Sequence, residues 1–403
     1  MDYSKHRSVV FITEDTFESS VGGVEQHIFH IAQELSRSGI RVTILSLRAG
    51  RRNTLLERVI RLGDSEFRVE EHVRFNLFFP LVSYLERFVS GKPGLLLALF
   101  GKMLPNFHLR TLMQRVRALD PDLVHQHDYV ANIVASKLIA RTRPVVFTNH
   151  TGQYLFLEKY AFTRRLQRFL IRHYRVIIGP SRELTPADDR AVFISNGVET
   201  DFFSGTKDHN FHPDRMVVIC PRRWAPTKGI RYLAEAMVLL PKADQKRILV
   251  LFAGSDSNDY PWYTDEVLKI LALLPNDMYD LLGNLDQTRL RDYYLKSDLV
   301  VIPSLMEATS LAAMEGMACG LPVLSTNVGG MPDVVVDDGV GWLVEPEDPR
   351  AIADTLSAIL RRQDELATMG ERAREFVRTS RSWRHIAQQV RALYDTVWDH
   401  PTV

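Results

Sequence analysis

"DLVVIPSLMEATSLAAMEGMACGLPVLST", residues 298–326, is the stretch whose reading decides the fold of this chain. "DLVVIPS" (298–304) is a short apolar run suited to a buried strand, "LMEAT" interrupts it, and "SLAAMEGMA" has the composition of a helix. Gly320 stands where such a helix stops, and "LPVLST" (321–326) resumes as the next strand. Strand, loop, helix and strand in that order form the repeating unit of a parallel α/β sheet. Thr309 or Ser310 is placed to cap the helix, whose free backbone amides and dipole then favour an anion. Glu307 lies in the loop and Glu315 eight positions later, roughly 80° away on a helical wheel. Set apart in this way, the two carboxylates would touch different parts of one elongated ligand. Carboxylates accept hydrogen bonds from sugar hydroxyls and helix-terminal amides donate to phosphate, a combination that describes a nucleotide sugar. A ligand-free reading also stands, because an acidic residue near a helix start is favourable by itself.

The same alternation runs outward in both directions. "SVVFIT" (8–13), a helical pattern "VEQHIFHIAQELSRSG" (24–39) and "RVTILSL" (41–47) make a βαβ opening. Strands follow at "DLVHQH" (122–127), "PVVFTNH" (144–150) and "RVIIGPS" (175–181). A second series begins at "MVVIC" (216–220) and continues through "RILVLFAG" (247–254), "YDLLGN" (279–284) and the opening stretch. Two doubly wound parallel sheets are therefore expected, with a boundary in the polar segment 190–212. At 403 residues and 45% hydrophobic content the chain exceeds one ordinary core, which agrees with two domains.

Composition narrows the function. The amino terminus lacks the apolar stretch of a secretory signal, and no run approaches the roughly 18 apolar residues that span a bilayer, so a cytoplasmic protein is expected. Cys220 and Cys319 are the only cysteines and have neither disulfide nor zinc spacing. Residues 1–190 hold 28 Lys and Arg against 19 Asp and Glu, or +9, whereas residues 191–403 hold 22 against 30, or −8. A basic half attracts nucleic acid, anionic lipid or a phosphorylated substrate, and no nucleic-acid-binding signature is present. Apolar segments within 73–115 and the basic pattern "EKYAFTRRLQRFLIRHYR" (158–175) suit either an acceptor-side lid, core helices or an anionic membrane surface. "HQHD" (125–128) puts His125 and His127 on one strand face, but no third metal ligand is spaced nearby, and His27 and His30 read as helix-face residues. His127 or Asp128 at the strand end is placed for acceptor contact, as is Glu25, which doubles as a helix-dipole partner.

A second motif supplies the counter-charge. "CPRRWAPTKGI" (220–230) follows the strand "MVVIC" and presents Arg222, Arg223 and Lys228 on a loop at a strand's carboxyl end, where ligands of such sheets sit. Each charge-assisted hydrogen bond to a pyrophosphate would contribute about 1.5–3 kcal/mol. Arg and Lys in surface loops are also ordinary.

Arg223 with Lys228 as R-x4-K-G, and Glu307 with Glu315 as E-x7-E, resemble the motifs of family 4 retaining glycosyltransferases of the GT-B fold, two Rossmann-like domains facing across a cleft. "VGGVEQH" (21–27), "NGVETDFF" (196–203), "GNLDQTRLRDYYLKSDLVVIPSLMEA" (283–308) and "RSWRHIAQQVRALYDTVW" (381–398) extend the resemblance over residues 8–398. It implies an acceptor-binding domain over 1–195 with a closing helix over 382–403 packed back on it, and a nucleotide-sugar domain over 196–381. It further implies that Arg223 and Lys228 bind the donor diphosphate, Glu315 the ribose, Glu307 the sugar, and the amides of Thr309, Ser310 and Leu311 the sugar or distal phosphate. Leu285 would lie by the base, Gly22 and Gly23 would let the first loop approach the phosphates, and His150 would sit near the reacting sugar. Catalytic roles then fall to His150, Arg223, Lys228 and Glu307. The implied reaction moves a hexose-type sugar from a nucleoside diphosphate, UDP favoured over GDP, to an acceptor hydroxyl on a small molecule, glycan or lipid, with no metal or other cofactor. Where the family often has glycine, aromatic, glycine after the first glutamate, this chain has Ala308, Thr309 and Ser310, and Arg222 replaces the glycine before the motif arginine. Alternatives are a nucleotide-sugar epimerase or phosphorylase of the same fold, or a non-catalytic nucleotide-sugar-binding subunit. A dinucleotide oxidoreductase is weaker, since the first loop lacks GxGxxG.

Overall fold

The computed structural model describes residues 7–13, 23–50, 53–75, 109–127, 132–150, 161–208, 211–254 and 260–400. The chain divides into two compact units, Met1–Ser195 with Ile386–Val403, and Asn196–His385. Among the described residues, no helix is long and apolar enough to cross a membrane.

Unit 1 runs β1 (Ser8–Thr13), α1 (Gly23–Arg37), β2 (Arg41–Gly50), β3 (Thr54–Leu62), β4 (Ser65–Phe75), α2 (Leu109–Leu119), β5 (Leu123–Gln126), α3 (Ile133–Ile139), β6 (Val145–Thr148), α4 (Ala161–Ile171), β7 (Val176–Gly179) and β8 (Ala191–Phe193). The strands form one sheet in the order β3-β4-β2-β1-β5-β6-β7-β8. Every pairing is parallel except β3 with β4. β1 is buried along its whole length, as its unbroken apolar run requires of a central strand.

The β3–β4 hairpin is an addition that the alternation of short apolar runs does not reveal. β4 reads "SEFRVEEHVRF", yet Glu70 is 0% exposed. Arg115 of α2 holds that carboxylate with two parallel hydrogen bonds, 2.6 Å to Oε1 and 2.9 Å to Oε2. Burial alone would raise the Glu70 pKa, but the Arg115 bonds and charge win and hold it below the ordinary carboxylate value. The pair therefore stabilises fully above a pH near 4.5, and its contribution is lost as pH falls through the lowered value. Arg115→Ala leaves the buried carboxylate with Arg68, 3.1 Å away, as its remaining cation and should cost about 2–3 kcal/mol in urea unfolding at neutral pH. A loss below about 1 kcal/mol, the range of an exposed ion pair, would show that the hairpin does not depend on it.

Unit 2 runs β9 (Met216–Cys220), α5 (Ile230–Leu239), α6 (Lys242–Gln245), β10 (Ile248–Ala253), α7 (Pro261–Leu271), β11 (Tyr279–Gly283), α8 (Gln287–Leu295), β12 (Leu299–Ile302), α9 (Leu311–Ala318), β13 (Val323–Thr326), β14 (Gly341–Val344), α10 (Pro349–Leu360) and α11 (Leu366–Ser380). Its parallel sheet has the order β11-β10-β9-β12-β13-β14. Both faces are covered: Met216, Val218 and Cys220 of β9 enter one core cluster, and Val217 and Ile219 enter the other. This is why β9 reads as continuous rather than alternating hydrophobicity. Cys220 and Cys319 are both buried free thiols. The final helix, α12 (Trp383–Asp399), contributes residues from Ile386 onward to unit 1, where Tyr394 is buried and its hydroxyl lies 2.5 Å from His125 Nδ1.

The strand order places the sites. In unit 2 the chain starts at β9, moves outward through β10 and β11, then returns to the other side of β9 with β12. The loops after β9 and β12 therefore diverge and leave a crevice at the carboxyl edge, the position where such sheets bind ligands. In unit 1 the corresponding reversal lies between β1 and β5.

Candidate functional site

At the carboxyl ends of β9 and β12 the two motif loops are fastened together. Leu305 N donates to Thr227 O at 2.8 Å, and Gly229, with φ 65°, lies directly against the Pro303 carbonyl. Lys228 ends a short 3-10 turn, Pro226–Lys228, and reaches across to Glu307, Nζ to Oε1 2.7 Å. Ser304 Oγ donates to the same oxygen at 3.0 Å, and the Arg222 guanidinium also meets it. All of these donors converge on Oε1. The Glu307 side chain is 8% exposed, Arg222 10% and Lys228 23%.

α9 begins beside this cluster. Ser310, not Thr309, is its cap: Oγ accepts from Ala313 N at 3.3 Å, and Arg222 Nη1 donates to that oxygen at 3.4 Å. Thr309 is buried next to it, and Leu311 opens the helix half-buried. Glu315 lies on the second turn, where the buried Tyr294 hydroxyl stands 3.3 Å from Oε2 and 2.9 Å from Ala312 O. Leu285 is half-buried against the unit 2 core, just after β11, and Gly254 N donates to Gly283 O at 2.8 Å at that strand's end. Arg222, not Arg223, takes the place against Glu307, while Arg223 is exposed on the loop. Trp224 packs into the core edge-on to Phe252, 6.1 Å between ring centroids.

The electrostatics follow from burial. Burial pushes the Glu315 carboxyl up to about 7, against the pull of Tyr294 and Arg222. Burial, then the neighbouring Arg222 and Arg223, brings the Lys228 ammonium down to about 7, while its contact with Glu307 favours the charged form. Burial thus moves both groups well away from their ordinary values.

In unit 1, His127 follows β5 and His150 follows β6, with His127 Nδ1 3.2 Å from His150 Nε2. His27 of α1 joins them, its ring 4.7 Å from that of His150, so three imidazoles offer nitrogens within 4.8 Å of one another. The spacing of "HQHD" conceals this third histidine, because it comes from another element. His27 is thus a member of the cluster rather than a plain helix-face residue, and the three nitrogens are close enough to hold a metal ion. His30, by contrast, meets Gln26 at 3.1 Å on its own helix. Burial keeps His125, His127 and His150 well below the ordinary histidine value and therefore neutral. Gly23 is the exposed first residue of α1 and Glu25 is half-buried in its first turn, whereas Gly22 and Asp128 lie outside the described residues.

Residues 203–376 match the family described as glycosyl transferases group 1, and residues 21–221 match glycosyltransferase family 4. The chain belongs to glycosyltransferase family 4. This glycosyltransferase is 28% identical to a D-inositol 3-phosphate glycosyltransferase of Corynebacterium glutamicum, over 93% of this chain and 91% of that one. It is 26% identical to the N-acetyl-alpha-D-glucosaminyl L-malate synthase of Bacillus anthracis, over 80% and 85%. Its fold is similar to that of the sucrose-phosphate synthase of Thermosynechococcus elongatus, with a TM-score of 0.75 at 19% identity, covering 98% and 100% of the two chains. An Anabaena protein solved in complex with UDP gives 0.70 at 17% identity, covering 96% and 100%. These likenesses show a GT-B fold of two parallel-sheet α/β domains.

For the glycosyltransferase, the geometry gathers Lys228, Glu307, Ser310 and Glu315 around one helix start, with Arg222 as a further member. From sequence Arg222 is one of three loop cations; the fold buries it against Glu307 and Ser310. Ser304 and Tyr294 went unnoticed, although both fall inside the matched segment 283–308.

Proposed function

We propose that this glycosyltransferase moves a hexose-type sugar from UDP to an acceptor hydroxyl with retention of anomeric configuration and without a metal. The observation that carries the reading is the convergence of Arg222, Lys228 and the capped start of α9 on Glu307, at the reversal point of the unit 2 sheet. A diphosphate placed there exchanges the Lys228–Glu307 pair for contacts of Lys228 and Arg223 with its oxygens. Charge that builds on the departing phosphate is then met by fixed cations and amides, the electrostatic role a metal serves elsewhere. Glu307 accepts from a sugar hydroxyl, Glu315 from the ribose, and Leu285 packs by the base. His150 faces the reacting sugar, and the departing phosphate takes the acceptor's proton. His127, Glu25 and Asp128 contribute to the acceptor side. The Anabaena neighbour's UDP supports the choice of base.

Thermal stabilisation by a panel of nucleoside diphosphates identifies the base, since a ligand at 100 times its dissociation constant adds about 2.7 kcal/mol. Product NMR then reads the anomer. An inverted product, or activity abolished by a chelator and restored by a divalent ion, overturns the retaining, metal-free reading; the second result would transfer attention to His27, His127 and His150.

Glu315 makes nucleotide binding depend on pH. Its raised value means that the proton is held below about 7 and lost above it. The carboxylate accepts from both ribose hydroxyls more strongly than the carboxyl does, so Glu315 ionisation should contribute up to about a tenfold rise in UDP affinity from pH 6 to 8, about 1.4 kcal/mol, against the opposing loss of the Lys228 charge over the same range. Glu315→Gln should flatten that rise in calorimetry, and an unchanged profile would remove Glu315 from the ribose.

A further inference from the structure

The opposite edge of the unit 1 sheet holds a concentration of charge that sugar transfer does not use. Arg7 precedes β1, Asp122 precedes β5, Arg175 precedes β7 and Arg190 precedes β8. A cavity of about 890 Å³ opens there, and its described lining includes Arg7, Arg141, Arg143, Arg172, Arg175 and Arg190 with a single acid, Asp122. His127 and His150 lie beyond the other ends of β5 and β6, and a strand of four residues spans about 13 Å. The cavity is therefore separate from the histidine cluster.

Part of this charge has a structural use. Asp122 Oδ2 accepts from Ser8 N at 2.8 Å and Ser8 Oγ at 2.9 Å, and Oδ1 lies 4.0 Å from Arg7. Arg190 is held by both oxygens of Asp188, at 2.7 and 2.9 Å, and braces the Tyr174 carbonyl at 2.9 Å. Arg143 pairs with Asp120. Arg141, Arg172 and Arg175 have no carboxylate partner among the described residues. Arg172 lies over the Phe169 ring at 4.3 Å, and Arg175 donates to His400 O at 2.6 Å.

Isolated surface arginines are ordinary, and each alone would need no explanation. Here three guanidinium groups with no carboxylate partner among the described residues line one concavity, which favours an anion there. The charge also continues sideways: a neighbouring hollow of about 660 Å³ shares Arg141 and Arg143 and adds Arg110 and Arg117. Phe169, 45% exposed, has two cations over its ring, Lys137 at 4.2 Å and Arg172 at 4.3 Å.

We propose that this cavity is a second ligand site, for a phosphate-bearing anion, distinct from the donor site. The forked guanidinium matches phosphate oxygens in bidentate geometry, which favours phosphate over a single carboxylate. A soluble phosphate compound and a phospholipid headgroup present the same group, and the experiment separates them.

The full-length enzyme is first saturated with UDP, and the stabilisation this gives is recorded, so that failure of the donor-site reading shows as a separate result. Pyrophosphate is then titrated by calorimetry, and vesicles of phosphatidylglycerol with phosphatidylcholine are compared with phosphatidylcholine alone by sedimentation. The expected result is binding of at least one phosphate probe, weakened at least tenfold in Arg141→Ser/Arg172→Ser while sugar transfer stays unchanged. Neither of these side chains makes a hydrogen bond among the described residues, and circular dichroism checks the fold. Binding of anionic vesicles without pyrophosphate names a lipid headgroup; the reverse names a soluble anion. Wild-type enzyme that takes up neither probe, or a folded double variant that binds as tightly, overturns the site. So does wild-type binding that survives a rise from about 0.1 to 1 M salt undiminished, because the screening length falls from about 10 to 3 Å.

Discussion

Lys228→Ala should lower the rate of sugar transfer by about 10²–10³-fold, the effect of deleting one preorganised charge donor from a transition state. The residue sits at the end of a 3-10 turn, three-quarters buried, with its ammonium 2.7 Å from Glu307. Removing it leaves Glu307 with Arg222 and Ser304, so no buried carboxylate is orphaned and stability should change little. kcat should carry most of the loss, because charge on the leaving phosphate grows after binding.

The pH dependence gives this prediction a second reading. Burial brings Lys228 down to about 7 while Glu307, 2.7 Å away, holds it charged, so in the free enzyme its charge is lost on the alkaline side of neutrality. On the proposed roles the free enzyme acts with Lys228 charged and Glu315 ionised; Glu315 changes near 7, and Lys228, held charged by Glu307 at 2.7 Å, at or above it, so kcat/KM should form a bell whose acid limb lies near 7. Lys228→Arg, which keeps its charge at every accessible pH, should widen the alkaline limb while recovering only part of the rate. A Lys228→Ala enzyme with wild-type turnover would remove the cation from catalysis altogether.

Much of the frame was legible in the sequence because both sheets are buried on both faces. Met216–Cys220 and Ile248–Ala253 read as unbroken apolar runs, and alternate residues fill opposite cores. β4 escaped notice for the converse reason. "RVEEHV" looks like a solvated segment until Arg115, some 45 positions away, is seen to neutralise Glu70. β8 and β14 lie at sheet edges and are only partly buried, so they lack the fully buried apolar run that marks the four-residue strands β5, β6, β12 and β13. The motif residues of unit 2 were legible as a spacing, but their mutual contacts were not: one charge has the same letters whether it faces water or Glu307. Arg222 shows this, and so does His27, whose companions His127 and His150 come from other elements, 100 and more positions along the chain.

Gly229→Ala should be the most damaging single-methyl change in unit 2. The residue holds φ 65°, and a Cβ built on it would stand 1.8 Å from the Pro303 carbonyl oxygen and 2.8 Å from the carbonyl carbon. Those are backbone atoms, fixed by β12 immediately before them, so no side chain can swing aside. Relief requires the loop after β9 to part from the loop after β12, which breaks the Leu305–Thr227 hydrogen bond and carries Lys228 away from Glu307. Gly63 supplies the control: it has φ 56° in the β3–β4 turn, with nothing within 4 Å of its added Cβ. Gly63→Ala therefore pays only for the left-handed conformation, roughly 1–2 kcal/mol. Gly229→Ala adds displacement of packed backbone and should reach about 3–5 kcal/mol in denaturant unfolding, with kcat falling further than the folded fraction accounts for. Equal losses in the two variants would mean that the loops are not wedged together at Gly229, and the shared placement of Lys228 and Glu307 would then need another cause.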